Sequence, residues 1–190
     1  MNKYRTFVSL ILIAILLVNC ANENEFLIEK NKVGFISNTD IVGDIESIFK
    51  NDSIVKNLSE GDLGGKDSRF IQDNDEYLIY SKEGKHLMTL VPKKQHDSTS
   101  TFKYVQIMDA QFKTEKGVSL NAFFKDVNVN YIINKVETTL SSATLYIDEL
   151  NATITLDKRD IGVYEFSTKE IKIEQIPDMV KIQDFTIWFD

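Results

Sequence analysis

An uncharged apolar run near the start of the chain is the feature that most constrains which part of the chain can form the folded domain. It comprises residues 7–18 and follows a short basic head that contains Lys3 and Arg5. As a helix this run would extend about 18 Å at ~1.5 Å per residue, which is short of the ~30 Å hydrocarbon core of a membrane. The run is therefore typical of a signal-peptide core, and we expect the folded part of the protein to follow it.

The run is followed by Cys20, the single cysteine of the chain. Residues 17–20 (LVNC) resemble the lipobox of bacterial lipoproteins, in which signal peptidase II cuts before a cysteine that carries a diacylglycerol. Leu17 matches the preferred leucine of that motif, whereas Asn19 stands where a small residue is usual. An ordinary secretory leader with an incidental cysteine and an uncleaved anchor are the alternative interpretations. A single cysteine excludes an intramolecular disulfide, and a catalytic thiol would need a base held nearby in a folded site.

The lipobox resemblance implies a plan for the whole chain. Residues 1–19 would be a signal peptide, residues 20–31 the lipidated Cys20 and its tether, and residues 32–190 a single domain. Ala21, rather than aspartate, follows the cysteine, and this favours the outer membrane. The acidic start of the tether is similar to export signals of surface lipoproteins in the Bacteroidota. We therefore expect attachment to the outer membrane through lipid on Cys20, facing the periplasm or the cell surface.

Composition predicts a globular domain that does not depend on disulfides or nucleic acid. Apolar residues make up 43% of the chain and aromatic residues 11%, which is ample for a packed core. Loss of Lys3 and Arg5 with the leader would change the net charge from −7 to −9. An acidic surface of this kind does not attract phosphate backbones. Stability must come from burial, since no cysteine other than Cys20 is present.

Segments rich in strand-forming residues predict a mainly antiparallel sheet. Residues 77–80 and 87–91 flank a turn that contains Gly84 and are expected to form a hairpin. A second hairpin is expected from residues 143–147 and 152–156. Further strands are predicted at residues 32–37, 102–108, 131–136, 170–176 and 183–189, and a short one within the tether at residues 26–28.

Two short amphipathic helices are predicted as well. The first follows capping oxygens at residues 38–40, and the second follows Ser119 as its cap. Their apolar positions recur at helical spacing: Ile41, Val42, Ile45, Ile48 and Phe49 in the first, and Leu120, Phe123, Phe124 and Val127 in the second. A helix followed by strands thus occurs twice, which suggests similar halves at residues 32–110 and 111–190. The expected fold class is α+β, mainly antiparallel β-sheet with two short helices.

No motif for catalysis, a metal or a cofactor is complete. Residues 61–67 (GDLGGKD) resemble a phosphate loop but are one residue short and place an aspartate at the magnesium position. His86 and His96 have no partner at a zinc-ligand spacing, and the acids of residues 73–76 lack the glycine of a calcium loop. The G-x-S-x-G and H-E-x-x-H signatures of hydrolases are absent from the sequence. We therefore expect no enzyme, cofactor or metal, although a carboxylate pair assembled by the fold stays open.

Aromatic residues are the remaining clue to function. They could line a binding groove, although the core is the commoner location at such spacings. These residues are Tyr77, Tyr80, Phe102, Tyr104, Phe123, Phe124, Tyr131, Tyr146 and Trp188. In the last predicted strand, Thr186 and Trp188 alternate with apolar residues. This period of two is typical of a strand and supports the last one predicted.

Three segments carry a resemblance that spans most of the chain. They are residues 77–82 (YLIYSK), residues 116–119 (KGVS) with the phenylalanines that follow, and residues 185–188 (FTIW). Their order resembles a family of small enterobacterial envelope lipoproteins of unknown function, some of them regulated by the envelope-stress sigma factor E. It is also similar to small lipoproteins of the outer-membrane assembly machinery and to β-lactamase-inhibitor-like repeats. These resemblances imply no catalytic or binding residues.

The resulting hypothesis is a lipid-anchored protein without catalytic activity. It would act through an envelope protein partner or in envelope maintenance. A small-molecule or glycan binder is the alternative, and a hydrolase is the third possibility.

Overall fold

The computed structural model describes residues 25–59, 74–163 and 168–190. The predicted signal peptide, Cys20 and the glycine-rich loop at residues 61–67 lie outside the described residues. The described residues form twelve strands: β1 (Leu27–Glu29), β2 (Lys32–Val33), β3 (Ile36–Ser37), β4 (Ser53–Asn57), β5 (Glu76–Tyr80), β6 (His86–Pro92), β7 (Phe102–Ile107), β8 (Lys113–Thr114), β9 (Lys135–Thr138), β10 (Ser142–Ile147), β11 (Ala152–Asp157) and β12 (Asp184–Trp188).

Helices are few and short. The described elements include α1 (Ile45–Ile48), α2 (Phe124–Asn130) and α3 (Lys158–Ile161), together with 3₁₀ turns at Val42–Asp44 and Ile173–Gln175. The fold is therefore α+β and mainly antiparallel β, which confirms the predicted fold class. In the described part of the chain, no helix has the length and apolar character needed to cross a membrane.

One eight-stranded sheet, the large sheet, organises the molecule. Its strand order is β4-β5-β6-β7-β12-β11-β10-β9, and every neighbouring pair is antiparallel. Strands β4 to β7 form one meander and β9 to β12 another. The two meanders join through their last strands, where Ile187 of β12 is paired with Val105 of β7. The chain's last strand therefore lies at the centre of the large sheet.

A smaller sheet packs beside the large one. Its order is β3-β2-β1-β8, and β1 pairs with β8 in parallel. The short strand expected within the tether is thus β1. The ring of Phe26 meets that of Phe112 edge-on at 5.2 Å, so the β1–β8 pair is fixed to the core. The division into tether and domain, and into two similar halves, stays a prediction.

Alternation of side chains gives the large sheet one buried face. In β10, β11 and β12 every second residue is buried, and Leu145, Ile154 and Ile187 have no exposed surface. Ile45 of α1 and Phe124 of α2 join the same apolar cluster. Each such side chain contributes roughly 1.5–3 kcal/mol when fully buried. A single continuous core therefore lies on this side, which we call the inner face.

The first predicted helix occurs in a shorter form than expected. Asp40 does not cap it; the Asp40 carboxylate accepts hydrogen bonds from the backbone nitrogen and hydroxyl of Ser37 at 2.7 and 2.8 Å. Ile41 is held extended by a bridge to Thr101, so α1 is a single turn. The prediction of capping oxygens at residues 38–40 was therefore wrong.

The second helix begins later than predicted. Ser119 is not its cap, because Ser119 forms a bridge with Lys113. Helix α2 starts after Phe123, whose backbone nitrogen donates to the Asp126 carboxylate at 2.9 Å. The helix thus extends to Asn130, and the strand predicted to start at residue 131 begins instead at Lys135.

The predicted hairpins are confirmed, and one predicted strand is wrong. Strands β5 and β6 pair as expected around a turn in which Gly84 has a φ of +80°, and β10 pairs with β11. Strand β12 confirms the last predicted strand. Residues 170–176 form no strand; Ile173–Gln175 is a 3₁₀ turn, and Ile171 is buried against the core.

Candidate functional site

The face of the large sheet opposite the core is the candidate site, and we call it the outer face. Its half-buried side chains come mainly from β7, β10, β11 and β12. Thr89 and Val91 of β6 lie on the same face but are buried. At its centre the half-buried side chains are Tyr104 and Gln106 of β7, Thr186 and Trp188 of β12, Thr153 and Thr155 of β11, and Thr144 and Tyr146 of β10. Threonines and aromatic residues are strand formers, so the composition satisfies both the sheet and a partly solvated surface.

An aromatic pair lies where the two meanders meet. Tyr104 and Trp188 are directly paired across β7 and β12, with ring centroids 5.0 Å apart and planes inclined by 56°. The indole nitrogen of Trp188 donates to the hydroxyl of Thr153 at 3.0 Å. Burial raises the pKa of the Tyr104 phenol, so the phenol stays neutral at pH 7. The pair is thus a fixed, partly exposed apolar platform with a hydroxyl at its edge.

A third ring, Tyr146, is held by charged neighbours toward the β9 edge. Its hydroxyl donates to the Glu137 carboxylate, and this hydrogen bond raises the pKa of Tyr146. Lys135 forms an ion pair with Glu137, and the Lys135 ammonium lies 5.4 Å from the centroid of the Tyr146 ring. The ring is therefore fixed in place without being fully buried.

A hollow of about 400 Å³ lies at the end of the outer face, and we call it the Trp188 hollow. Two of the outer-face aromatic residues and two carboxylates lie in its wall: Tyr146, Trp188, Asp148 and Asp190, with Ile147, Asn151, Ala152 and Thr153 completing it. Asn151 turns the β10–β11 hairpin with a φ of +51°. Its side-chain amide donates to the carbonyl of Trp188 at 2.8 Å, which fixes the hairpin to β12.

The predicted aromatic groove is only partly assembled. The members of one group are buried in the core: Tyr77, Phe102, Phe124 and Tyr131. Of these, Tyr77 and Tyr131 also reach the walls of two separate hollows, of about 430 and 240 Å³. Phe123 is half-buried just before α2. The remaining residues lie on the outer face, where Tyr80 stacks on His86 with centroids 4.7 Å apart, and where Tyr104, Tyr146 and Trp188 lie as described above.

A second polar cluster was not expected from the sequence. The buried Asp75 carboxylate accepts hydrogen bonds from the backbone nitrogen and hydroxyl of Ser59, at 2.8 and 2.9 Å, and from the His96 backbone nitrogen at 2.6 Å. Burial favours a higher pKa for Asp75, but these hydrogen bonds outweigh it and leave the pKa below its usual range. The carboxylate thus ties the end of β4 to the β6–β7 loop.

The Ser59–Asp75–His96 cluster has the residue types of a hydrolase triad but a different geometry. The His96 Nε2 atom lies 3.1 Å from the Ser59 hydroxyl, and His96 Nδ1 lies 3.8 Å from Asp75. In a triad the imidazole separates the serine from the carboxylate. Here Ser59 contacts the carboxylate directly and is itself buried. The arrangement is therefore that of a structural hydrogen-bond network.

Another hollow, of about 480 Å³, lies beside the β5–β6 turn. Burial raises the pKa of Asp52 in its wall, while Lys82 opposes the shift. The pKa of the nearby Glu83 is lowered instead, by a hydrogen bond from Ser81. A catalytic acid pair would be expected to show two carboxylates with raised pKa values. Asp52 and Glu83 do not show this, because their pKa values shift in opposite directions.

No metal centre is evident in the described part of the chain. Within residues 25–59, 74–163 and 168–190, no three histidine, cysteine, aspartate or glutamate side chains are grouped to hold an ion. His86 hydrogen-bonds to Thr89 at 3.1 Å, and His96 belongs to the network around Asp75. Asp73 and the loop at residues 61–67 lie outside the described residues.

The fold and the outer face define an α+β protein built on one open antiparallel sheet. The crystal structure of the uncharacterized protein yfeY from Escherichia coli is similar, with a TM-score of 0.54. The two chains share 9% sequence identity, and the match covers 86% of this chain and 99% of the other. At this identity the similarity shows a shared fold alone. No protein-family profile matches the chain, and no curated protein is significantly similar to it in sequence.

Proposed function

We propose that the protein is a lipid-anchored lipoprotein of the bacterial outer membrane that binds another envelope protein through its outer face, without catalysing a reaction. The lipobox-like end of the leader at Cys20 supports the anchor. The Tyr104–Trp188 pair at the centre of the open sheet is the observation that carries the binding function. Tryptophan and tyrosine are enriched among the residues that dominate protein interfaces.

The size of the outer face favours a protein as the partner. Eight strands at ~4.8 Å spacing span about 34 Å, and strands of five to six residues are roughly 17–20 Å long. The face therefore offers about 600 Å², close to the ~800 Å² that each partner buries in a standard interface. The Tyr104–Trp188 platform lies on the two middle strands of this area, at the end of β12 and next to the Trp188 hollow.

Kinship with the envelope lipoproteins regulated by sigma factor E is part of this proposal, as is an origin in the Bacteroidota. The former is supported by the segments at residues 77–82, 116–119 and 185–188, and the latter by the acidic tether. Envelope maintenance would be the biological setting of the interaction.

A small-molecule or glycan ligand is the second candidate. The Trp188 hollow favours it, because aromatic rings with nearby amide and carboxylate groups suit a polar ligand that has apolar faces. A hydrolase has less support, because the Ser59–Asp75–His96 network has the geometry of a structural hydrogen-bond network rather than that of a catalytic triad.

Site-specific photo-crosslinking in native membranes tests the protein-binding function. A photoreactive amino acid at Thr144, on the outer face, should give a discrete adduct with a protein. The matched position is Lys125 on α2, which is exposed on the layer that covers the inner face. Trp188→Ala should weaken binding by about 2 kcal/mol and remove the Thr144 adduct, while circular dichroism verifies folding. Adducts that form equally from Lys125, or none from the outer face, would reject the proposal.

A further inference from the structure

The Trp188 hollow has an unbalanced charge. Its wall contains the carboxylates of Asp148 and Asp190 but no lysine, arginine or histidine. In the described ranges, neither carboxylate takes part in an ion pair within 4 Å. Both residues are exposed. The hollow thus presents two negative charges that the described chain leaves uncompensated.

Several carboxylates near the Trp188 hollow differ from Asp148 and Asp190 in forming ion pairs. Glu137 pairs with Lys135, and Glu149, directly after Asp148, pairs with Lys116 at 2.7 Å. At the far end of β11, Asp157 pairs with Arg159 at 2.6 Å. These acidic side chains around this part of the sheet therefore have basic partners within the chain. The two in the Trp188 hollow are left for a cation from outside.

The aromatic walls favour the same kind of ligand. The faces of tryptophan and tyrosine rings attract cations, and a guanidinium group can also stack flat against them. Lys135 already lies over the Tyr146 ring in this way, with its ammonium 5.4 Å from the ring centroid. Carboxylates bind guanidinium through paired hydrogen bonds, which an ammonium group cannot match. Rings and carboxylates together thus select a planar cation over a point charge.

The volume of the hollow suits a single side chain. A space of about 400 Å³ is large enough to admit one long side chain. We propose that the Trp188 hollow binds the guanidinium group of an arginine side chain that the protein partner presents at the end of the outer face. This inference rests on the proposed function and specifies the chemistry of the partner. Tyr104 and Trp188 would contact the partner's apolar centre, and the arginine would fix its orientation.

Trp188 supplies the readout, because it is the only tryptophan in the chain. The full chain in detergent is titrated with a blocked Gly-Arg-Gly peptide while Trp188 fluorescence is recorded. We expect a saturable change that weakens as salt is added. The same peptide with lysine should bind several-fold more weakly. The peptide with citrulline, a neutral isostere of arginine, should give no saturable change.

Variants that remove one negative charge from the hollow test whether the arginine peptide binds there. Asp148→Asn and Asp190→Asn should each weaken binding of the arginine peptide about tenfold. Asp178→Asn is the control, because Asp178 is exposed and its carbonyl accepts a hydrogen bond from the backbone nitrogen of Lys125 on the helical layer. Equal responses to arginine and citrulline, or unchanged binding in both hollow variants, would overturn the inference. So would tighter binding of a chitin trisaccharide than of the arginine peptide, which would favour the glycan alternative.

The two proposals fail separately. If the Thr144 crosslink forms but the arginine peptide gives no saturable change, the protein-binding function stands and the arginine site is rejected. If the peptide binds the hollow but no protein crosslinks to the outer face, the arginine site stands without the proposed partner.

Discussion

At the scale of single residues, Asp75 is a buried carboxylate that connects separate segments of the chain. Its carboxylate is stabilised by three donated hydrogen bonds, two from Ser59 and one from the His96 backbone. Asparagine at this position would place an amide donor against those N–H and O–H groups. We expect Asp75→Asn to lower the free energy of unfolding by about 2 kcal/mol at pH 7, measured by urea denaturation.

The same residue predicts a dependence on pH. The folded-state pKa of Asp75 is lowered relative to its value near 3.9 in the unfolded chain, so its stabilisation is fully present above that unfolded value. It is lost as the pH falls through the folded-state pKa. The difference between wild type and Asp75→Asn should therefore shrink below about pH 4. The control Asp178→Asn, at an exposed carboxylate, should follow wild type; a difference independent of pH would contradict the assignment.

Sequence reasoning found some of the site residues and missed others for a physical reason. Alternation in residues 185–189 predicted the last strand, because side-chain direction in a strand is a local property. That Tyr104 lies beside Trp188 depends on which strands are neighbours, and local patterns do not contain this information. Ser59, Asp75 and His96 likewise come from three separate segments. Their contact is created by the pairing of β4, β5 and β6.

At the scale of elements, β12 carries a central part of the core. It pairs with β7 on one side and β11 on the other, and Ile187 has no exposed surface. We expect Ile187→Ala to destabilise the protein by about 2–5 kcal/mol, because it removes buried methyl groups and leaves a cavity. Ile132→Ala is the matched control: Ile132 is 75% exposed, and the change should stay within about 0.5 kcal/mol. Equal effects in denaturant titrations would contradict the central position of β12.

Hairpins were predictable from sequence, whereas the helices were not predicted with their correct bounds. The β5–β6 and β10–β11 hairpins depend on short apolar segments and on nearby turn residues, which local sequence specifies. The helical pattern that begins at Ile41 is interrupted because a distant residue, Thr101, bridges to it. A bridge between Phe123 and Lys181 similarly keeps the residue before α2 extended. Tertiary pairing thus overrides helical periodicity at both sites.

At the scale of the whole molecule, one core serves both meanders. Buried residues from β5, β7, β10 and β12 belong to a single cluster. We therefore expect one cooperative unfolding transition, in which far-ultraviolet circular dichroism and Trp188 fluorescence change together. Two separate transitions would show instead that residues 32–110 and 111–190 fold as independent halves. The measurement thereby tests the domain division that the repeated helix-and-strand order suggests.

The proposed attachment to the membrane also concerns the whole molecule, and it would depend on Cys20. A single acyl chain gives only marginal membrane binding, at about 0.8 kcal/mol per buried methylene, whereas a lipoprotein cysteine with several chains gives lasting attachment. Cells fed radiolabelled palmitate should label the wild-type protein, and Cys20→Ser should abolish the label because no other cysteine is present. The variant should also keep its leader, visible as a larger mass, since signal peptidase II requires the modified cysteine. A control serine substitution elsewhere in the leader, Ala14→Ser, should leave labelling intact. Label that survives in Cys20→Ser would reject the lipid anchor and favour an ordinary secretory leader.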